Sequence, residues 1–180
     1  IIKELTQVGN PIIRRKSAVA RNIKSKKTQK IIKNLIDSMR HGNLVGLAAP
    51  QIGINQRIFV TEIRDTNLRK VDSKKDLDFL RVFINPQIIS VSKQAVSGYE
   101  GCGSVALANL FGKVSRPPSL EVKALGKDGK SFKLKARGLL ARVILHELDH
   151  LRGKIFLDRL TDHDSLMSAN EYRKKFVKRK

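Results

Sequence analysis

The stretch Leu139–Leu151, LLARVILHELDHL, decides the fold, because it combines the pattern of a buried helix with a cluster of polar side chains. Its apolar residues recur every three or four positions, as on a helix face packed in a core. His146 and His150 are four residues apart, so both rings lie on one face of that helix. Two imidazoles arranged in this way can bind one divalent cation. Glu147 follows at about 100° around the helix, where it can reach a water bound to that cation.

The pattern HELDH also fits a helix that binds no metal, with two hydrogen-bonded core histidines beside a surface carboxylate. Cys102 bears on this choice, because the only cysteine of the chain stands between Gly101 and Gly103. It is either an inert core thiol or a reactive group, a ligand or a nucleophile. Flanking glycines leave the backbone free and its N–H groups exposed, which suits a thiolate that must reach a metal. With His146 and His150, it would complete a ligand set for a tetrahedral catalytic metal.

Length and composition predict one globular domain, residues 1–180, without repeats or linkers. No run of 18 apolar residues occurs, and no apolar segment follows the basic N-terminus, so neither a membrane span nor a secretory signal is expected. The single cysteine indicates a reducing compartment. From about Asp162 the sequence predicts a terminal helix that becomes a cationic tail.

The net charge of +21 favours association with phosphate backbones or anionic surfaces. However, the basic residues are spread over the chain and no nucleic-acid motif stands out. The basic tail is therefore open to two interpretations: a solvated chain end or a docking site.

The remaining pattern predicts an α+β fold, with short antiparallel strands packed around the helix that carries HELDH. An apolar stripe marks a helix at Lys26–His41. Strands are expected at Arg57–Ile63, Phe79–Asn85 and Gln87–Ser92, with Pro86 as the break between the last two. A hairpin is expected around Asp128-Gly129. In the small-residue segment Leu44–Gly53, the lone amide Gln51 needs a partner, either the protein backbone or a substrate carbonyl.

Three ordered motifs now stand out: VGLAAPQIG, YEGCGSV and HELDHLRGKIFLDRL. With these motifs the chain resembles the peptide deformylases over nearly its whole length. The resemblance implies hydrolysis of the formyl group from the N-terminal formyl-methionine of new polypeptides, with release of formate. It also implies one divalent metal ion per chain, Fe(II) in cells with Zn, Ni or Co able to replace it. The expected location is a bacterial cytoplasm or an organelle of bacterial descent. We hypothesise that the basic tail then docks on ribosomal RNA near the peptide exit, where the substrate emerges.

The site residues that the resemblance implies fall into three groups. Metal ligands are expected at Cys102, His146 and His150. Catalytic groups are expected at Glu147, at the Gln51 amide and at the backbone N–H of Gly103. The substrate peptide is expected to be gripped like an added strand at Val45, Gly46 and Gly101. We further hypothesise that Arg116 pairs with Glu100 and supports the site from behind.

Three positions depart from the usual family pattern. Leu44 replaces a glycine, Gly103 replaces a leucine and Leu145 replaces a glutamine. Because Gly103 still has its N–H, the oxyanion site is expected to survive, with a looser loop and an altered substrate pocket. Three alternatives remain. The HELDH pattern also fits a general HExxH peptidase, and the basic charge fits an RNA-binding protein with a structural metal. The three departures leave room for a related enzyme with another substrate.

Overall fold

The computed structural model of the protein describes residues 1–67, 71 and 74–177. Four α-helices are present in these residues: α1 (Pro11–Arg14), α2 (Lys26–His41), α3 (Gly138–Leu151) and α4 (Ala169–Phe176). The strands in the first half of the chain are β1 (Gly46–Ala48), β2 (Ile58–Ile63), β3 (Asp78–Val91) and β4 (Val96–Gly101). Those in the second half are β5 (Leu110–Arg116), β6 (Ser119–Leu125), β7 (Ser131–Arg137) and β8 (Leu160–Ser168).

The strands form two antiparallel sheets. The larger sheet has five strands in the order β1-β2-β3-β6-β7, and the smaller has three in the order β4-β5-β8. Strand β1 is therefore an edge of the larger sheet, and β4 is an edge of the smaller one. Each edge strand leads directly into a segment that carries predicted site residues.

The five-stranded sheet lies between two helices because its central strands are apolar on both faces. Ile58 and Val60 of β2 pack in the same core cluster as the apolar stripe of α2. Phe59, between them, packs in a second cluster with the apolar residues of α3. This alternation follows from the two-residue period of a strand. It fixes α3 against one face of the sheet, with its polar residues directed towards the smaller sheet.

Helix α3 follows the sequence prediction closely. It starts at Gly138, whose positive φ of 57° turns the chain out of β7, and it ends two residues before Gly153. Both glycines adopt left-handed conformations that other residues rarely tolerate. The predicted α+β fold, with antiparallel strands around the HELDH helix, is confirmed.

Two predicted boundaries are wrong. The segment from about Asp162 is not helical at first, because Leu160–Ser168 pairs with β5 as β8, and the terminal helix starts only at Ala169. Pro86 does not end a strand, since β3 continues through it with an irregular register between Ile84 and Gln87. The last tail charges, Lys178–Lys180, lie outside the described residues. Among the helices that are described, none is long and apolar enough to cross a membrane.

Candidate metal centre

The turn after β4 brings Cys102 to the polar side of α3. The donor atoms of Cys102, His146 and His150 all lie within 4.8 Å of one another. The Cys102 Sγ and His150 Nε2 atoms are 3.2 Å apart, and the two imidazole rings have centroids 4.9 Å apart. His146 uses its Nδ1 for a 2.9 Å contact with Glu100 Oε2, so its Nε2 is the atom that faces the cluster.

This arrangement fits a tetrahedral metal ion. Zinc-like bonds of about 2.1 Å to nitrogen and 2.3 Å to sulfur put neighbouring ligand atoms roughly 3.5 Å apart. The three donors need only small adjustments to meet that spacing. One sulfur and two nitrogens leave a fourth position for water or substrate, which distinguishes a catalytic site from a closed structural one.

The charge of the Cys102 sulfur also suits a cation. Burial on its own would raise the pKa of Cys102, but the neighbouring His150 and His146 outweigh it and lower that pKa to about 5. The thiol is therefore ionised at neutral pH, and the thiolate is the form that binds metals. Burial would lower the pKa of His146, yet its hydrogen bonds with Cys102 and Glu100 raise it well above the usual value, so His146 holds a proton that a metal must displace before the ring can bind it.

Glu147 lies beside this cluster in an apolar setting. Its side chain is buried, and burial is the main reason why its pKa rises to about 7. The Oε2 atom has no hydrogen-bond partner among the described residues. The carboxylate is pressed against Gly46, because a Cβ added at Gly46 would come 2.5 Å from Glu147 Oε1. A carboxylate with this pKa can both take up and release a proton near neutral pH.

Gln51 contributes an amide whose orientation is fixed by its neighbours. It lies in the short 3₁₀ turn Ala49–Ile52, directly after β1. Its Oε1 accepts a hydrogen bond from the Ala48 N–H at 2.8 Å, so the NH₂ group must point the other way. That group faces Cys102 Sγ at 3.5 Å and Ser104 Oγ at 3.3 Å. The amide therefore presents a donor to the metal cluster.

Glu100 connects His146 to the guanidinium groups behind it. Arg116 donates to both carboxylate oxygens of Glu100 at 2.9 Å, which is the pairing expected from the sequence. Arg142 adds a third contact at 2.9 Å. Burial alone would raise the pKa of Glu100, but His146 and Arg116 outweigh it and lower the pKa. A charged Glu100 holds the His146 ring so that its Nε2 faces the cluster.

Three residues of this network escaped the sequence analysis. Asp149 is buried and binds both Arg116 and Arg159. A carboxylate that close to the ligands on a buried helix needs a cationic partner, and this requirement was the available signal. Arg142 precedes His146 by four residues, so it lies on the same helix face and could also have been noticed. Nothing in the sequence pointed to Arg159.

The predicted substrate-binding residues line a cleft beside the cluster. Val45, Gly46 and Gly101 all contribute to its wall, together with Leu139 and Val143 of α3. Of the three departures from the family pattern, Leu44 and Gly103 also line this cleft. Leu145 instead points into the apolar core between α3 and the sheet. Its change from glutamine therefore does not alter the cleft wall.

Comparison with known proteins agrees with this geometry. The profile of the polypeptide deformylase family matches residues 2–165. The peptide deformylase of Thermomicrobium roseum is 36% identical over 165 residues, covering 92% of this chain and 89% of its own length. That of Dictyoglomus thermophilum is 37% identical over 162 residues, covering 90% and 95%.

Solved structures give the same answer for the fold. The class I type b peptide deformylase of Acinetobacter baumannii, with Met-Ala-Ser bound, has a TM-score of 0.81 at 27% identity and covers 88% of this chain and 99% of its own. The Ehrlichia chaffeensis peptide deformylase has a TM-score of 0.80 at 27% identity, with coverage of 97% and 94%. The family profile, these relatives and the shared fold agree: the chain belongs to the polypeptide deformylase family.

Proposed function

We propose that this protein removes the formyl group from N-formyl-methionyl peptides, with Cys102, His146 and His150 as ligands of a catalytic metal and Glu147 as the proton carrier. The observation that carries the proposal is the convergence of one thiolate and two imidazoles beside a cleft that Cys102, His146 and the unpaired carboxylate of Glu147 line. The family assignment supplies the reaction, which is metal-dependent hydrolysis of the formyl amide.

A divalent ion in this ligand set would make water acidic enough to lose a proton near neutral pH and would polarise the formyl carbonyl. We propose Fe(II) as the ion used in cells. Zn, Ni and Co suit the same mixture of sulfur and nitrogen donors. The ligand set therefore accepts several metals, and the activity of each has to be measured.

Glu147 is suited to moving one proton along the reaction. Its unpaired Oε2 would accept the proton of the attacking water and then deliver it to the methionine nitrogen as the C–N bond breaks. The products are formate and a free amino terminus, so no oxidant or reductant is needed. Because Glu147 is buried, bulk water does not compete with the substrate for this proton.

Two N–H donors would stabilise the charge that develops on the formyl oxygen. One is the Gln51 NH₂ group, which Ala48 orients by bonding the amide oxygen. The other is the backbone N–H of Gly103, one residue beyond the metal ligand Cys102. Removal of one such donor typically costs about 3 kcal/mol of transition-state stabilisation.

The peptide would be held by the two sheet edges that border the cleft. Edge strand β1 contains Gly46, and edge strand β4 ends at Gly101. An extended peptide between them can add to a sheet edge through main-chain hydrogen bonds. The Acinetobacter relative has been solved with the peptide Met-Ala-Ser bound, which supports a peptide ligand here.

Formate release tests the proposed function. The protein should be loaded with Fe(II) without oxygen and incubated with formyl-Met-Ala-Ser, with acetyl-Met-Ala-Ser and Met-Ala-Ser as controls. We expect formyl-Met-Ala-Ser to give formate and free Met-Ala-Ser in equal amounts, and both control peptides to stay unchanged. A fully metal-loaded protein that releases no formate would refute the proposal, and cleavage of Met-Ala-Ser would favour a general peptidase.

Substitution of Gly46 by alanine tests the position of Glu147. The new Cβ would approach Glu147 Oε1 to 2.5 Å and Val143 Cγ1 to 2.8 Å, so the carboxylate must move. We expect kcat to fall by about 100-fold, because a displacement near 1 Å misaligns proton transfer, while metal content stays unchanged. Gly126→Ala is the matched control, since its Cβ meets only the exposed Asp128 side chain closely, at 3.1 Å. Equal kcat in both variants would contradict this placement of Glu147.

Substitution of Arg116 by alanine tests the support behind His146. It leaves the buried carboxylates of Glu100 and Asp149 without their shared partner. We expect the free energy of unfolding to fall by about 3 kcal/mol and metal affinity to fall at least about tenfold. Arg81→Ala is the control, because the contacts of Arg81 within the described part of the chain are local ones in β3, an ion pair with Asp78 and a cation–π contact with Phe79. Denaturant titration and metal-competition measurements check both effects, and unchanged values for Arg116→Ala would rule out the supporting role.

Docking of the basic tail on ribosomal RNA stays a prediction, as does the location in a bacterial cytoplasm or an organelle of bacterial descent. Within the described residues, Lys174 of α4 is paired with Glu171 and Arg173 bonds Asn170. These contacts lie within α4 itself, as they would in a helix end that is solvated and docks on nothing.

A further inference from the structure

We infer that Gln7, in the N-terminal arm Ile1–Asn10, is a positioning residue that fixes the backbone amide of Gly103. The inference rests on the proposed function, in which that N–H stabilises the formyl oxygen. Gly103 has no side chain, so its backbone has more conformational freedom than that of any other residue type. The N–H belongs to the peptide unit of the Cys102 carbonyl, which accepts hydrogen bonds from the Val105 and Ala108 N–H groups of the same segment. The other side of Gly103, its own carbonyl, needs a further restraint if the donor is to be preorganised.

The Gln7 side chain supplies this restraint through both ends of its amide. Its Nε2 donates to the Gly103 carbonyl at 2.9 Å and to the Leu5 carbonyl at 3.0 Å. Its Oε1 accepts a hydrogen bond from the Leu107 N–H at 3.2 Å. The amide therefore joins the arm to two points of the segment that follows Cys102. Both points are about 100 residues away from Gln7 along the chain, at separations of 96 and 100.

The segment that Gln7 holds is strained. Ala106, Leu107 and Ala108 have positive φ angles of 47°, 53° and 61° in succession. Residues with a Cβ rarely adopt this conformation, and they keep it only where surrounding contacts enforce it. Leu107 is also 63% exposed, so side-chain packing does not enforce it there. The hydrogen bond from Leu107 to Gln7 is a contact that can.

Apolar packing closes the other side of Gly103. A Cβ at that position would lie 2.7 Å from Leu5 Cδ1 and 3.1 Å from Leu44 Cδ1. Leu5 belongs to the same arm as Gln7. Leu44 also packs in the space that a side chain at Gly103 would need. Leu44 and Gly103, two of the three departures named above, are thus in contact with each other.

The arm also reaches the second donor, Gln51. The Thr6 N–H donates to the Gln51 carbonyl at 2.8 Å, and the Val8 N–H donates to the Ser104 carbonyl at 2.8 Å. Gln7 thus lies between two backbone hydrogen bonds that tie the arm to both donor segments. One extended stretch, Leu5–Val8, sets the spacing between the Gln51 turn and the Gly103 turn.

The test compares Gln7→Ala with Asn10→Ala. Asn10 is in the same arm, and its side chain caps α1 by accepting from the Ile12 N–H, away from Gly103. Both changes remove a side-chain hydrogen bond, so both can lower the melting temperature. For Gln7→Ala we expect kcat to fall about tenfold with little change in KM, because the donor acts on the transition state. For Asn10→Ala we expect no change in kcat, and both variants should keep full metal content.

Amide hydrogen exchange provides a readout that does not depend on turnover. In Gln7→Ala the amide of Leu107, which loses its acceptor, should exchange faster than in Asn10→Ala, whereas the amides of α3 should not. Gln7→Glu should resemble Gln7→Ala in kcat, since a carboxylate cannot donate to the Gly103 carbonyl. Unchanged kcat in Gln7→Ala, or equal losses in the Gln7 and Asn10 variants, would overturn the inference. A metal-loaded wild-type protein without deformylase activity would instead overturn the proposed function, and this inference with it.

Discussion

Replacement of Glu147 by glutamine is expected to abolish most turnover while leaving the metal in place. Glutamine has nearly the same shape, so the close approach to Gly46 persists, but its amide cannot take up a proton. Loss of a positioned acid–base group typically lowers the rate by 10²–10⁴-fold, and we expect a fall of about 1,000-fold in kcat. Initial rates of formate release measure the effect, and metal analysis of the same sample measures occupancy.

Glu171→Gln is the matched control for this prediction. Glu171 is an exposed residue of α4, and among the described residues its ion-pair partner is Lys174, so the same chemical change there should leave kcat and metal content as they are. If Glu147→Gln retained the wild-type kcat at full metal occupancy, Glu147 would not be the proton carrier. If it lost the metal as well, the carboxylate would belong to the ligand set.

Removal of a proposed ligand should produce the opposite pattern, with metal lost before chemistry can be measured. Serine in place of Cys102 supplies a hydroxyl that stays protonated where the thiol, with a pKa of about 5, is ionised. We expect metal affinity to fall by more than the roughly 10–100-fold that loss of an outer hydrogen-bond partner causes. His150→Ala should behave in the same way. Metal content after dialysis against a weak chelator measures both.

His163→Ala is the control for the histidine variant. His163 lies exposed on β8, away from the three donors, and its removal should leave metal content unchanged. Normal metal content in Cys102→Ser or His150→Ala would overturn the ligand assignment. Loss of metal from all three variants would indicate a general loss of stability instead of loss of a ligand.

The sequence could predict the helical part of the site because short-range periodicity determines it. The four-residue spacing of His146 and His150 puts both rings on one face of any regular helix. The apolar residues around them predicted that this helix is buried. The convergence of Cys102 on that face depends on how two sheets pack. Its place between two glycines made it a candidate ligand, and the family resemblance implied that it binds the metal with the two histidines.

The parts that the sequence did not predict depend on distant partners. Segment Leu160–Ser168 is polar and lacks the alternation of apolar and polar residues that marks a strand. It nevertheless forms strand β8, because β5 offers it backbone hydrogen bonds. Tertiary context overrode the local pattern there. The contacts of Gln7 with Gly103 and Leu107 likewise span about 100 residues, at separations of 96 and 100. A single sequence contains no local signal for such a pair.

The expected looseness of the loop at Gly103 shows the same limit. A glycine after the cysteine predicts a flexible segment when it is considered alone. The packing of Leu5 and Leu44 against Gly103, together with the hydrogen bond from Gln7, argues for a restrained segment. The restraint comes from three residues that lie elsewhere in the chain.

The most direct test of the central claim is an anomalous-scattering map of the metal-loaded protein, recorded at the absorption edge of the bound metal. We expect one peak per chain at bonding distance from Cys102 Sγ and from the Nε2 atoms of His146 and His150, with Glu147 alongside but not bonded. A peak bonded to other residues, or a Cys102 thiol directed away from the ion, would contradict the account.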